Sequence, residues 1–337
     1  MKILFLLTEP PYPADNGIRI ITFNIIRLMR KLNHECAIAI VGTVSTDEKR
    51  ALTQFCIEHH VKDLGEYPLP EQNKTLLALH SIVTHTPYFV NKYLSKYLEA
   101  TLDKLCNHWQ PDTVHYDTIC LTGYSRPSNK KIKIVASIND SYTLTLENEI
   151  NNSHLPKWRK WYKKYQYHVV RQYERRAYNR FDAVHVVSKK DADTLKDIGI
   201  TSKIVVISNG VSHLIKHQKI TQNPHNLLFV AKQAGENLSA LNQFISQAWP
   251  IIKAKNPNIC LQIIGRETPA SLSMNKEIND PQIKFIGFVE DINDIYAKGQ
   301  IAIVPINKNC GIINKAIEAM AAGLPVVGFE SCFSALL

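Results

Sequence analysis

The spacing of apolar residues changes twice within the first forty positions. Lys2–Leu7 (KILFLL) is a continuous apolar run, bounded by the turn-rich segment TEPPYPADNG. A run of that length without polar alternation suits a parallel strand buried on both faces. Past Gly17 the apolar residues fall at Ile21, Ile25, Leu28, Met29 and Leu32, the spacing of an amphipathic helix. A second run follows at Ala37–Val41. The chain therefore opens strand–loop–helix–strand, the start of a parallel α/β sheet.

The same alternation continues. Thr113–Tyr116, Ile132–Ser137, Ala183–Val187 and Lys203–Ile207 read as further strands, with helix over most of 72–109, broken at Pro87, and again over 157–180. Near 213–225 the pattern lapses into a polar stretch containing Pro224, which predicts a linker. Strands then resume at Leu227–Ala231, Leu261–Ile264, Ile283–Ile286, Ile301–Val304 and Val326–Gly328, with helices over 237–254, 291–298 and 311–322. The expected organisation is two doubly wound Rossmann-like domains, 1–212 and 226–337, facing a cleft. In open parallel sheets, ligands sit beyond the carboxyl ends of the strands.

Composition supports a folded chain: 337 residues, 45% hydrophobic and 21% charged. The seven cysteines are scattered without a C-x-x-C pair, which reads as reduced thiols and not as a disulfide frame or zinc site. With no apolar run long enough for a membrane span or leader, this implies a cytoplasmic chain. The net charge of +10 changes the picture, because much of it lies in Lys157–Arg180, with nine Lys or Arg and one Glu. That segment interleaves Trp158, Trp161, Tyr162, Tyr165, Tyr167, Tyr173 and Tyr178 with its cations. Such a composition fits an anionic membrane surface, at the inner face of the membrane for a cytoplasmic chain. It equally fits a packed helix whose cations reach outward. No RNP, helix-turn-helix or zinc-finger signature points to nucleic acid.

The most specific chemistry lies in Cys310–Gly323 (CGIINKAIEAMAAG). On a helix, Ile313, Ile317 and Met320 share one face, while Lys315, Glu318 and Ala322 share the other. A lysine in the first helical turn opposes the partial positive charge there, and a bound anion removes the conflict. Free N–H groups with an ammonium suit a diphosphate, and a carboxylate one turn on suits the vicinal hydroxyls of a ribose. A solvated Lys–Glu pair is the other reading. His115 and the pair Asn139-Asp140 follow or end strands and are candidate acceptor-side catalytic groups, with packing as the alternative. Asp191-Ala192-Asp193 matches the D-x-D pattern of metal-dependent transferases, but it sits at a helix start, where carboxylates cap. No metal site is assigned.

GIINKAIEAMAAGLPVVG closely resembles the donor-binding motif of glycosyltransferase family 4, in particular a bacterial cell-surface polysaccharide branch. KILFLLTEPPYPADNGIRIITFNIIRLM, ERRAYNRFDAVHVVSKKDAD, SNGV, LLFVAKQAGEN and KFIGFVEDINDIYAKGQIAIVP fall in the order found in those enzymes, so the resemblance spans essentially the whole chain. It implies the α/β fold called GT-B. The implied reaction is retaining, metal-independent sugar transfer from a nucleotide diphosphate donor to a glycan or lipid-linked acceptor. The nucleotide sugar is a co-substrate, and no cofactor is implied. By motif, Glu318 would hold the ribose and Lys315 the diphosphate, with Asn314 and Gly311 in the same donor set. Gly17 would let the backbone approach the phosphate or sugar.

The chain departs from the family pattern in three places. Ala231-Lys232 stands where the family carries a Gly-Arg pair, so Lys232 keeps the charge without the fork. Cys310 replaces a common glutamate eight residues before Glu318, and Glu236 and Asn237 occupy the neighbourhood of a second phosphate lysine. Family members also continue past the Pro-Val-Val strand, so the second domain is expected to be truncated, with exposed apolar surface and lowered stability. These features leave room for a non-catalytic remnant that binds nucleotide, membrane or a partner. An epimerase of the same fold is a third reading.

Overall fold

The computed structural model describes the chain except residues 15, 153–155, 212–224, 290, 307–312 and 334–337. The predicted linker and Gly311 lie largely or wholly outside the described residues. The contacts divide the chain into two compact units, Met1–Ser208 and Asn209–Leu337.

In the first unit the described residues form a seven-stranded parallel sheet. Its strands are β1 (Lys2–Leu7), β2 (Glu35–Val41), β3 (Lys62–Tyr67), β4 (Thr113–Asp117), β5 (Lys133–Asn139), β6 (Ala183–Val186) and β7 (Lys203–Val206), in the order β3-β2-β1-β4-β5-β6-β7. β1 shows why an unbroken apolar run is needed. Leu4 and Leu6 pack on one face with Ala37, Ala39, Val114 and Tyr116. Ile3, Phe5 and Leu7 pack on the other with Ile26, Ile38 and Ile40. Helices cover both faces, and the direction of winding reverses between β1 and β4.

Among its described residues the second unit repeats the plan with five parallel strands, β8 (Asn226–Val230), β9 (Cys260–Ile264), β10 (Ile283–Gly287), β11 (Ile301–Val304) and β12 (Val326–Gly328), ordered β10-β9-β8-β11-β12. Here the reversal lies between β8 and β11. Each unit thus has one topological switch point at the carboxyl edge of its sheet, where open α/β sheets bind ligands. Among the described residues no helix is long and apolar enough to cross a membrane.

Some predicted elements differ in detail, for physical reasons. The expected stripe Ile21–Leu32 is rotated. The helix Gly17–Lys31 buries Thr22 and Ile26, whereas Leu28 and Leu32 are exposed. The predicted helix over 237–254 is three pieces, Gly235–Gln243, a π-helical turn Phe244–Ala248 and Trp249–Lys255. Pro250 cannot donate to the ladder, and the wider turn before it absorbs the lost bond. The helix of the specific motif runs Asn314–Ala321, and it buries Ala316 and Ala319 while Met320 is 51% exposed. Small side chains bring this helix close to the sheet, so the expected face Ile313–Ile317–Met320 is not the one buried deepest.

The long helix Lys157–Tyr178 divides along its length. Val169, Val170, Tyr173, Ala177 and Tyr178 are buried, which is the packed reading, while Trp158, Trp161, Tyr162 and Tyr165 are exposed.

Candidate functional site

At the switch point of the second unit, two helices follow the two diverging strands. Gly235–Gln243 comes after β8 and Asn314–Ala321 after β11. Lys315 stands in the first turn of the latter, and its Nζ donates to Asn237 Oδ1 of the former at 2.8 Å. Asn237 Nδ2 in turn donates to the Lys232 carbonyl at 3.1 Å. One bridging amide therefore ties together the two loops at the switch point, and the Lys232 side chain is exposed beside it. Asn314, at the first helical position, accepts from Asn209 Nδ2 at 2.8 Å.

Burial shapes the electrostatics of this cluster. Desolvation pushes the Lys315 ammonium down to about 8, against the pull of Glu318. Burial raises the Glu318 carboxyl, opposed by the Tyr296 hydroxyl and by Lys315. Tyr296 donates to Glu318 Oε2 at 3.4 Å and is itself buried. A cation in the first turn of a helix, short of counter-charge and partly dehydrated, gains most from a bound polyanion. Glu318 one turn further on presents acceptors for hydroxyl groups.

The loop carrying Lys232 is held rigidly. Gly265, just past β9, has φ +137°, and a Cβ there would fall 1.9 Å from the Ala231 carbonyl oxygen. Only glycine allows these two strand ends to meet. Gln233 is fully buried, donating through Nε2 to the Gly265 carbonyl at 3.2 Å, and its own carbonyl accepts from Thr268 Oγ1 at 2.7 Å. Sequence named Asn237 only as standing near the place of a family lysine and did not single out Tyr296 or Gly265, since each meets a neighbour far away along the chain.

In the first unit Gly17 is the exposed first residue of its helix, whose N-cap Asn16 accepts from the Arg19 N–H. Arg19 is clamped by Glu9 at 2.7 Å and Glu48 at 2.5 Å. His115 is not a strand-end group, because β4 runs on to Asp117. The imidazole is 8% exposed and packs against the Phe5 ring at 5.0 Å. Burial and neighbouring His185 push it down to about 3, so it is neutral. Asp140 follows Asn139, which ends β5 at φ +59°.

The residue at the carboxyl end of β4 is Asp117. It is 1% exposed, and its Oδ1 has no hydrogen-bond partner among the described residues. Burial pushes its carboxyl up to about 7, opposed by the Thr22 hydroxyl and reinforced by Glu9. Thr118 follows with φ +64°, a conformation that is costly for a β-branched residue. A strained strand end beside a buried carboxyl makes Asp117 a candidate functional position. The D-x-D carboxylates are engaged elsewhere. Asp191 is buried, accepting from Ser188 Oγ and from the Ser141 N–H at 2.8 Å, and Asp193 meets Lys196 at 3.3 Å.

Comparison with known proteins agrees with this layout. The profile described as Glycosyltransferase Family 4 matches residues 15–213, and that of Glycosyl transferases group 1 matches residues 224–335. No curated protein matches the sequence significantly. Among solved structures, Anabaena Alr3699/HepE in complex with UDP and glucose superposes with a TM-score of 0.58 at 16% identity, covering 97% of this chain and 80% of that one. TarM superposes at 0.66 with 10% identity, covering 98% and 85%. The lipopolysaccharide outer core galactosyltransferase WaaB in its apo form superposes at 0.56 with 14% identity, covering 97% and 80%. These likenesses show the GT-B fold, two Rossmann-like domains. The family 4 profile alone spans more than half of the sequence, and the chain belongs to glycosyltransferase family 4.

Proposed function

We propose that the chain transfers a hexosyl group from a nucleoside diphosphate sugar, with retention, to a glycan or lipid-linked acceptor in cell-surface polysaccharide assembly. The observation that carries this reading is the Lys315–Asn237–Lys232 bridge with Glu318 one turn away, at the switch point of the second unit. A solved GT-B relative in complex with UDP and glucose supports the same donor class.

Cleavage of the anomeric bond leaves an oxocarbenium-like sugar and a departing diphosphate. Lys315 and Lys232 supply positive charge to that leaving group, each contributing roughly 3–4 kcal/mol if it acts like an oxyanion-hole donor. Glu318 orients the nucleoside through its hydroxyls. Transfer with retention needs no covalent protein nucleophile, and none is assigned.

Thermal stability measured against UDP, GDP, ADP and CDP tests this reading. Ligand at a hundred times its dissociation constant adds about 2.7 kcal/mol to a competent site. One base should give a selective shift that Glu318→Ala abolishes. Cooperative melting with no shift from any nucleotide would discard the donor site and favour a non-catalytic remnant, for which the departure at Ala231-Lys232 is the motive. Turnover of a nucleotide sugar to its epimer without an acceptor would favour the third reading.

A further inference from the structure

Among the described residues, the first half of the helix Lys157–Tyr178 presents an exposed aromatic face. Successive residues turn by about 100°, so Trp158, Trp161, Tyr162 and Tyr165 fall within one arc of about 100°. Trp158 is 67% exposed and Trp161 72%, with Tyr162 and Tyr165 exposed as well. The same face continues into Val169 and Tyr173, where it is buried. The helix thus carries one apolar stripe, of which the carboxyl-terminal half is core and the amino-terminal half is exposed among the described residues.

Cations occupy the rest of the circumference, at Lys157, Arg159, Lys160, Lys163 and Lys164, and no acidic residue precedes Glu174. Lys163 pairs with Glu149 at 2.6 Å. Lys157, Arg159, Lys160 and Lys164 have no carboxylate partner among the described residues. Arg159 instead lies over the Trp158 ring at 5.1 Å.

We propose that this half-helix docks on an anionic membrane surface, its aromatic face at headgroup depth and its lysines on the lipid phosphates. Trp and Tyr side chains are apolar bodies with polar tips, and they collect at the membrane–water boundary. Protein interfaces also take Trp and Tyr as anchors, but they are depleted in lysine, and this face is flanked by Lys157, Lys160 and Lys164. Single-stranded nucleic acid also combines cations with aromatic stacking, but it does so in a groove that tracks the backbone, and this is the outer face of one helix. An aromatic face opposite a cationic one on a single helix therefore favours lipid, and the proposal stands independently of the donor site.

The test is sedimentation of the full chain with vesicles of phosphatidylcholine, alone or mixed with phosphatidylglycerol, in low and high salt. Binding to the anionic vesicles should exceed that to neutral ones by at least about tenfold and fall with salt. Trp158→Ala/Trp161→Ala and Lys157→Gln/Lys160→Gln/Lys164→Gln should each weaken it about tenfold while the melt is unchanged, since all five side chains are exposed. Tryptophan emission should shift blue on binding. Equal binding to both vesicle types, or binding insensitive to the tryptophan variant, would overturn the proposal. Self-association abolished by that variant, without vesicle binding, would assign the face to a second copy of the chain.

Discussion

Glu174 lies on the buried half of the same helix, fully inside the first unit, and holds the start of a second helix. Its Oε1 accepts from the Tyr142 N–H at 3.0 Å and the Tyr178 hydroxyl at 3.3 Å. Its Oε2 accepts from the Thr143 N–H at 3.3 Å, the Thr143 hydroxyl at 2.5 Å and the Ser141 hydroxyl at 3.3 Å. Glu174→Ala leaves two backbone N–H groups that cannot turn to another acceptor, at about 1–3 kcal/mol each. Lost packing of the methylenes adds roughly 1 kcal/mol. Against this stands the burial that pushes the carboxyl up to about 7, a dehydration cost that the alanine variant avoids. The net expectation is a loss of about 3 kcal/mol. Hydrogen exchange is the right assay, because it reads the helix Tyr142–Asn152 without assuming that both units unfold together. The Tyr142 and Thr143 amides should exchange at least about a hundredfold faster in the variant, the equivalent of that loss. Unchanged protection of these two amides would refute the reasoning.

Asp117→Asn should stabilise the protein at pH 8 and leave it unchanged near pH 3. The folded carboxyl is raised to about 7, so its stabilising contribution is present in acid and is lost as pH rises through 7. Melting curves across that window check this, and a fall in transfer rate alongside the gain would mark a strained functional residue. Lys315 shows the opposite sign. Its folded pKa is depressed to about 8, so its contribution is present above the ordinary lysine value and is lost as pH falls through 8. Diphosphate binding at pH 8.5 should therefore take up a fraction of a proton, seen by calorimetry in buffers of different ionisation enthalpy, and Lys315→Met should abolish the uptake. Gly265→Ala places a methyl against the Ala231 carbonyl and should cost at least about 2 kcal/mol and weaken nucleotide binding. A variant that melts within about 0.5 kcal/mol of the parent would show that the loop is not pinned there.

The parallel strands were legible in the sequence because burial on both faces demands unbroken apolar runs, as in β1. β3 (KDLGEY) was not legible, because an edge strand can be polar. The helix Thr46–Glu58 carried a readable signal in its Ser45–Glu48 capping box, which periodicity alone passes over. At the candidate site, Lys315 and Glu318 could be read together because three residues on a helix make neighbours. Asn237 and Tyr296 come from other elements and meet them only through tertiary structure. His115 and Asp117 show the finest limit. Reading β4 as Thr113–Tyr116 sets the histidine near the strand end, whereas one further residue of strand gives the edge to an aspartate and leaves the imidazole in the core. Local pattern places an element to within a residue or two. The identity of a strand-end group depends on that residue, so sequence could locate the carboxyl edge of β4 but not the side chain that stands there.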